Sequence, residues 1–419
     1  MSKSHNENVL SLIEQFAATA DALLSSAAEF NKEQLPPRRW KGKELTELVK
    51  VKNIQNLYFM EKEGKLPDWY RQNRNENNGY TLEMAVEAMR VLGTLPWRQI
   101  DEPPAILSFT NFKGGCWKTT TSWHFGSWAA SKGYRVLMVD VDPQASLTRN
   151  LGFQPDYFIH AEDTLAPFLM YDEEPTEENV AERILKTHIY TLDLLPASLD
   201  LQSVEWGLAA AIHSVSYNSD LDDAEKDAER AKFFLRLAYC LNSVAQRYDL
   251  IVLDGTPTLG VLPLNIVFAA HGLVVPVPTE KVDFASTKSF LDLLSDNIRT
   301  LTHLFDDQID VPQPRFLATK FESGQMSSSS QSVLDDFIRP TFGEHLFKTV
   351  IHQHRAAVGA GSYFSRTMFE VNATTLSVKS DARKRCMENY EQAFTEIMNA
   401  MVFPLWPTTS KLKALAEEI

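Results

Sequence analysis

Cysteine is scarce: three in 419 residues, at positions 116, 240 and 386. Three scattered thiols build neither a disulfide framework nor a four-cysteine metal site, and they suit a reducing, intracellular compartment. Long apolar runs are missing too. The longest, Val261 to Pro278, is interrupted by Pro263, Asn265, His271, Gly272 and Pro276. A membrane-spanning helix needs about 20 apolar residues, so this run reads as a short helix followed by a buried strand. The first residues, MSKSHNENVLSLIEQF, lack the basic-then-apolar order of a signal peptide. Positive charge is in deficit as well. The net charge is −14, so any contact with nucleic acid must rest on local basic patches. Internal repeats are absent. The one low-complexity patch, Ser327–Ser330, reads as a mobile loop.

What is present is the balance of an ordinary globular protein, 44% hydrophobic and 23% charged residues, which excludes a mainly disordered chain. At roughly 100–200 residues per domain the length predicts two to four domains. Apolar residues recur at helical spacing over 7–31 (Val9, Leu12, Ile13, Phe16, Ala20, Leu23, Leu24, Ala27). That helix either packs on its own domain or forms a dimer contact. Two short helical patterns follow, near 42–50 and 53–63, joined tightly at Val51–Lys52. This is helix-turn-helix spacing. Between residues 31 and 75 there are 11 Lys/Arg and 6 Asp/Glu, a local excess of five positive charges. Lys52, Asn53, Gln55 and Asn56 sit at the start of the second helix, where polar side chains reach base edges. A basic, solvated helical hairpin is the alternative. Arg71–Gly79 reads as a loop, Tyr80–Leu92 as a helix capped by Thr81, and Glu102-Pro103-Pro104 as a linker or boundary.

From Ala105 onward, buried-strand runs (Ala105–Asn111, Arg135–Val141, Leu250–Asp254, Gly272–Val277) alternate with helical stretches. That predicts an α/β fold, a mostly parallel, doubly wound sheet covered on both faces, behind an all-α N-terminal region. Leu221–Lys232 is charge-rich and reads as a solvated helix face or loop. Residues 381–402 read as an amphipathic helix. The expected division is 1–34 for the N-terminal helix, 35–102 for the helix-turn-helix and linker helix, and 103–419 for the α/β domain.

The strongest signal is ILSFTNFKGGCWKTTTS, residues 106–122: a strand, a glycine-containing loop with two lysines, then a helix. Gly114 and Gly115 let the backbone N–H groups of Lys113–Thr120 wrap phosphates, and the helix N-terminus aligns its dipole on them. Lys118 neutralises the β/γ oxygens and the Thr119 hydroxyl holds Mg²⁺. The strict P-loop pattern fails at Phe112 and Trp117. A second strand ends in Asp140-Val141-Asp142-Pro143-Gln144. A third delivers Asp254 to the carboxyl edge of the sheet, where it is expected to hold Mg²⁺ through water. Trp at position 117 carries a steric penalty at positive φ. The loop is therefore expected to avoid that region there, with the indole against the following helix.

The order K-G-G-x-x-K-[ST], D-x-D-P-Q and a strand-end Asp resembles the ParA/MinD family of deviant Walker-A ATPases. The layout over residues 35–400 resembles the large plasmid ParA proteins, and the ParA-like RepA proteins of RepABC cassettes in particular. The resemblance implies ATP and Mg²⁺ as cofactors and slow hydrolysis of ATP to ADP and phosphate. Lys113 reaches the phosphates of a partner subunit's nucleotide, Asp142 positions the attacking water, and Asp140 supports the Mg²⁺ shell. Residues Lys113 to Thr120 hold the nucleotide's phosphates. Pro276, Pro278 and Thr279 wrap its adenine. Further implied are DNA partition by a homodimer or a higher-order filament of it, and a ParB-type centromere-binding partner. So are non-specific DNA binding and repression of its own operator through the helix-turn-helix, in the cytoplasm and on the nucleoid. Arg355, Arg366, Lys379, Arg383, Lys384 and Arg385 are the candidate cations for non-specific contact. For Arg383–Arg385 a solvated helix start is the alternative.

Three rivals are weaker on the residues. A membrane-positioning relative needs a basic amphipathic C-terminal helix, and SKLKALAEEI at 410–419 carries two lysines and two glutamates. An iron–sulfur branch needs paired cysteines. A nucleotide-switched repressor or filament scaffold with little hydrolysis is the third.

Overall fold

The computed structural model describes residues 10–16, 18–20, 38–67, 79–111, 113–258, 260–302, 310–322, 327–371 and 377–410. Phe112, the expected loop over 71–78, the last nine residues and much of the expected N-terminal helix lie outside that set. Contacts divide the chain into two units, Met1–Pro37 and Arg38–Ile419. In the first, residues 10–16 and 18–20 are helical, and Leu10, Leu12, Ile13 and Phe16 are exposed.

The second unit opens with α1 (Gly42–Val49) and α2 (Ile54–Lys62), at the expected spacing. Lys50 ends α1 in the left-handed conformation, which turns the chain sharply. The Asn53 side chain then caps α2 by accepting the N–H of Asn56 at 3.2 Å. α3 (Leu82–Leu92) starts at the Thr81 cap and packs on α1. Tyr80 pairs with Trp40 as an isolated antiparallel bridge, and its buried hydroxyl donates to Glu61.

The expected boundary at residues 102–104 is stitched into the same unit as the sheet. Glu102 accepts the N–H groups of Thr408 and Thr409, and Trp406 donates to the Pro103 carbonyl. Arg98 donates to the Tyr248 carbonyl at 3.1 Å. Each bond satisfies a polar group that would otherwise be stranded beneath the sheet.

The sheet has seven strands: β1 (Ala105–Phe109), β2 (Val136–Asp140), β3 (Leu185–Lys186), β4 (Leu192–Leu195), β5 (Leu250–Asp254), β6 (Gly272–Pro278) and β7 (Gln313–Thr319). Their order is β3-β4-β2-β5-β1-β6-β7. Every pairing is parallel except β3 with β4. β1, β2 and β5 are buried along their whole length, as a sheet covered on both faces requires.

The crossover from β1 to β2 is α4 (Lys118–Ser131), buried almost throughout. Gly126 lets it lie close to the sheet: a Cβ there would stand 2.1 Å from the Met138 sulfur. Its other side meets α12 (Ser380–Ile397). Phe394 of α12 sits 5.4 Å from Phe125 and 5.7 Å from Trp128, ring centre to ring centre. A π-turn, Met398–Val402, extends α12 over the span expected for this helix.

Between them run α5 (Ser146–Asn150), α6 (Leu201–Ser216), α7 (Asp223–Val244), α8 (Val261–Ala269), α9 (Lys281–Thr302), α10 (Ser327–Val333) and α11 (Arg355–Tyr363). The charge-rich 221–232 segment is the solvated first half of α7, which begins on a capping box of Asp222 and Glu225. The serine patch expected as a mobile loop is instead the first turn of α10. Buried Ser330 is fixed there by accepting the N–H of Glu322 at 3.3 Å. No helix among the described residues is long and apolar enough to cross a membrane.

Candidate nucleotide site

Parallel register decides what meets at the carboxyl edge. Asp140, last in β2, is the Cα partner of Asp254, last in β5. Asp254 is in turn level with Phe109, last in β1. The loop of residues 113–117 therefore springs from the edge where both carboxylates end.

Asp254 accepts the Thr119 hydroxyl at 2.7 Å and the Ser122 hydroxyl at 3.0 Å. The two donors are three residues apart and share one face of α4. Asp140 accepts the Thr148 N–H at 2.8 Å and its hydroxyl at 2.7 Å. Asp142 is tied to Asp140 through its own N–H, and its carboxylate accepts the N–H of Gln144 at 2.9 Å. Both Asp140 and Asp254 are fully buried. Burial pushes both acids well above the usual carboxylate range; the charge of Asp142 adds to the rise at Asp140, and the charge of Asp140 to the rise at Asp254. Burial also raises Asp142, against the N–H of Gln144 and the charge of Lys118.

Lys118 lies folded into the loop, its Nζ 3.1 Å from the Lys113 carbonyl and 3.9 Å from the Cys116 sulfur. Burial pushes the Cys116 thiol up, which keeps it protonated and inert. The loop is braced from both sides. Asn111 accepts the Lys113 N–H at 3.1 Å and donates to the Pro276 carbonyl at 2.9 Å and to Thr287 at 3.2 Å. Thr319 donates to the Cys116 carbonyl at 3.3 Å. The Lys113 ammonium lies 3.5 Å from Asp283, near the start of α9.

Trp117 corrects the sequence expectation. It adopts φ 72°, ψ 28°, in the left-handed region, immediately before α4. The loop keeps the backbone path a glycine would take, and the tryptophan bears the cost. Pro276, Pro278 and Thr279 are buried in and beyond β6. The Thr279 N–H and hydroxyl are taken by the carbonyls of Thr319 and Lys320.

The site suits a hard divalent cation. Its donors are all oxygen: two carboxylates and two hydroxyls, with no lysine or arginine of the described residues in ion-pairing distance of Asp140 or Asp254. Two buried acids with raised affinity for protons form a pocket deficient in positive charge. Mg²⁺ characteristically takes one or two such protein oxygens and completes its shell with water and phosphate.

Of the DNA candidates, Lys52, Asn53, Gln55 and Asn56 are all exposed at the start of α2, but the Asn53 carbonyl oxygen is committed to its cap. Arg355 is exposed and paired with Glu322 at 2.8 Å. Arg366 is partly buried, with a nitrogen on the Ser365 carbonyl at 2.9 Å. Burial lowers its pKa, so it is not a free surface cation. Arg383 is drawn inward and donates twice to the Met368 carbonyl. Sequence reasoning missed Asn111, Ser122, Thr148, Asp283, Thr319 and Lys320. Only Ser122 had a legible signal, its helical spacing from Thr119.

Comparisons with known proteins agree with this geometry. A family described as AAA domain matches residues 104–310. Protein SopA of Escherichia coli K12 is 33% identical over 374 residues, covering 88% of this chain and 90% of SopA. A replication protein A of Rhizobium rhizogenes is 28% identical over 84% of this chain and 86% of its own length. Among solved structures, one titled Partition Protein aligns with a TM-score of 0.59 over 93% of this chain and 98% of its own, at 17% identity. An ATP complex of a Cyanothece McdA variant aligns at 0.51 over 71% and 97%, at 15% identity. The two structures speak for the fold; the extent and identity of the SopA match speak for descent. The chain belongs to the ParA/MinD family of deviant Walker-A ATPases, with SopA among its relatives.

Proposed function

We infer that this chain is a DNA-partition ATPase, a homodimer closed by ATP and reopened by slow, Mg²⁺-dependent hydrolysis to ADP and phosphate. The observation that carries the reading is the register pairing of Asp140 with Asp254 beside Thr119. Two buried acids at one strand edge, facing a hydroxyl and a lysine-lined loop, fit a metal–triphosphate and little else.

Lys118 and the N–H groups of residues 114–120 cradle the phosphates. Thr119 and Asp254 would hold the Mg²⁺, with Asp140 supporting its shell. When bound, Mg²⁺ would neutralise negative charge that develops on the phosphates. Asp142, fixed by the Gln144 N–H, orients the attacking water; in-line phosphoryl transfer needs a positioned nucleophile more than a strong base. Lys113 reaches across to the partner subunit's phosphates. The α1–α2 pair reads the operator of its own operon, and a second basic surface including Arg355 binds nucleoid DNA without sequence preference. A ParB-type protein stimulates turnover and releases the dimer. The helix within residues 1–34 adds a dimer contact.

The test is ATP turnover with Mg²⁺, with and without random-sequence duplex DNA, for the native chain, Lys118→Ala and Asp142→Ala. Slow turnover that rises with DNA and disappears in both variants supports the reading. Binding of ATP with no turnover in any form favours the nucleotide-switched repressor or scaffold. The left-handed Trp117 is the observation on that side, because a bulky side chain in the loop restricts how it reshapes around phosphate.

A further inference from the structure

Asp283 is the acid nearest the loop that the site chemistry leaves without a role. It lies near the start of α9 with its side chain 8% exposed. One oxygen is 3.5 Å from the Lys113 ammonium and the other is 3.9 Å from that of Lys320, just beyond β7. The two lysines come from separate elements and converge on one carboxylate. Lys113 remains 35% exposed, whereas Lys320 is 19% exposed.

The setting is rigid. Thr287, one turn along α9, donates to the Asp283 carbonyl at 3.1 Å and accepts from Asn111 at 3.2 Å. Asn111 in turn holds the Lys113 N–H. The backbone of Lys113 and the carboxylate that holds its ammonium are thus positioned by one continuous set of hydrogen bonds. Lys320 has positive φ, 55°, and its carbonyl is held by Thr279, so it too is fixed at its base.

We propose that Asp283 is a clasp on Lys113: it holds this lysine over its own subunit until a nucleotide in a second copy of the chain outcompetes it, and so sets the ATP concentration at which the dimer closes. Lys320 is the clasp's counterweight. It stays with Asp283 when Lys113 leaves, so that the buried carboxylate is never stranded without a cation. This rests on the reading that Lys113 serves the partner's nucleotide. Asp283 is a positioning residue; it touches neither phosphate nor metal.

The clasp makes predictions of opposite sign at its two ends. Asp283→Asn frees Lys113, and the ATP concentration for half-maximal dimer falls by about threefold to tenfold. Lys320→Ala leaves Asp283 wholly to Lys113, and that concentration rises. In an Asp283→Asn background Lys320→Ala has no further effect. In a Lys113→Ala background Asp283→Asn has none either, because removing coupled partners is non-additive. Binding of ADP to the isolated subunit is unchanged by Asp283→Asn, since ADP does not call on Lys113.

The experiment is sedimentation velocity of the full chain across an ATP series with Mg²⁺, with ADP affinity and thermal midpoint recorded for each variant. A native chain that dimerises with ATP while Asp283→Asn leaves the midpoint where it was overturns the clasp and spares the reading beneath it. So does an Asp283→Asn shift that persists undiminished without Lys113. Should Asp283→Asn fold poorly, Lys320→Ala alone still decides: no rise in the ATP concentration for half-maximal dimer overturns the clasp. A native chain that stays monomeric at every ATP concentration overturns the reading and the clasp together.

Discussion

Asp140 and Asp254 end adjacent parallel strands as register partners, so two carboxylates from sequence positions more than a hundred residues apart are buried side by side. Their raised proton affinity is the mark of charge with too little compensation. Strain of this kind persists in a fold when a ligand relieves it.

A first consequence concerns stability without ligand. Asp254→Asn removes one of the two repelling charges yet keeps an oxygen for Thr119 or Ser122. The metal-free variant is expected to be more stable than the native chain by on the order of 1 kcal/mol. With Mg²⁺ and ATP the order reverses, because the native chain gains binding energy that the variant lacks. Urea unfolding in the two buffers checks this. A variant less stable than native in metal-free buffer would refute the account.

Trp117 yields a second outcome. A non-glycine residue at left-handed φ costs roughly 1–2 kcal/mol, whereas glycine pays instead in unfolded-chain entropy, about 0.5–1 kcal/mol. Trp117→Ala keeps the backbone penalty and loses the indole's contacts. Trp117→Gly loses the same contacts and sheds the penalty. The glycine variant should therefore exceed the alanine variant in stability by about 1 kcal/mol, although it is the larger truncation. Equal unfolding midpoints, or alanine ahead, would show that position 117 carries no strain.

Trp117 also marks a limit of what could be read from sequence. The phosphate loop, both strand-end acids and four of the central strands were legible, because each lies within one contiguous pattern. The left-handed tryptophan was not, since local preference argued against it and the closed loop overrode that preference. β3 is two residues long and β4 four, too short for a period to show. β7 begins with exposed and half-buried residues and looks like a loop until its partner β6 is known. Asp283 and Lys320 meet Lys113 only through tertiary packing, and no spacing announces them.

A third prediction concerns acid. His124 lies inside α4, fully buried, with Nδ1 2.7 Å from the Thr120 carbonyl. Burial lowers its pKa from 6.5 to about 4, against smaller upward pulls from that carbonyl and from Glu370. The sign follows from linkage. Below pH 6.5 the unfolded chain binds a proton that the folded chain refuses, so this stability is intact above 6.5 and drains as pH falls toward 4. Between pH 7 and pH 5 the loss from this residue is about 2 kcal/mol. His124→Phe should flatten that part of the stability-against-pH curve, as followed by urea unfolding at each pH. An unchanged slope would mean that His124 takes up its proton in the native state.

The last prediction separates two DNA-binding surfaces. Lys52 and Gln55 are exposed at the start of α2 with no structural duty, unlike Asn53, whose replacement would also remove a helix cap worth about 1 kcal/mol. Lys52→Ala and Gln55→Ala therefore test base reading without melting the helix. Each should weaken binding to DNA from upstream of the chain's own reading frame by about 1–3 kcal/mol at the position it reads, and leave binding to random duplex unchanged. Arg355→Ala should act the other way. It should lower random-duplex affinity and reduce the dependence on salt by about one phosphate's worth. Because Arg355 must first leave Glu322, its effect should grow in Glu322→Gln, where no carboxylate competes for it. Fluorescence anisotropy with both duplexes across a salt series measures all four variants. If Lys52→Ala and Arg355→Ala reduced binding to the two duplexes in equal proportion, one shared surface would serve both, and the division of labour between α2 and the Arg355 face would fall.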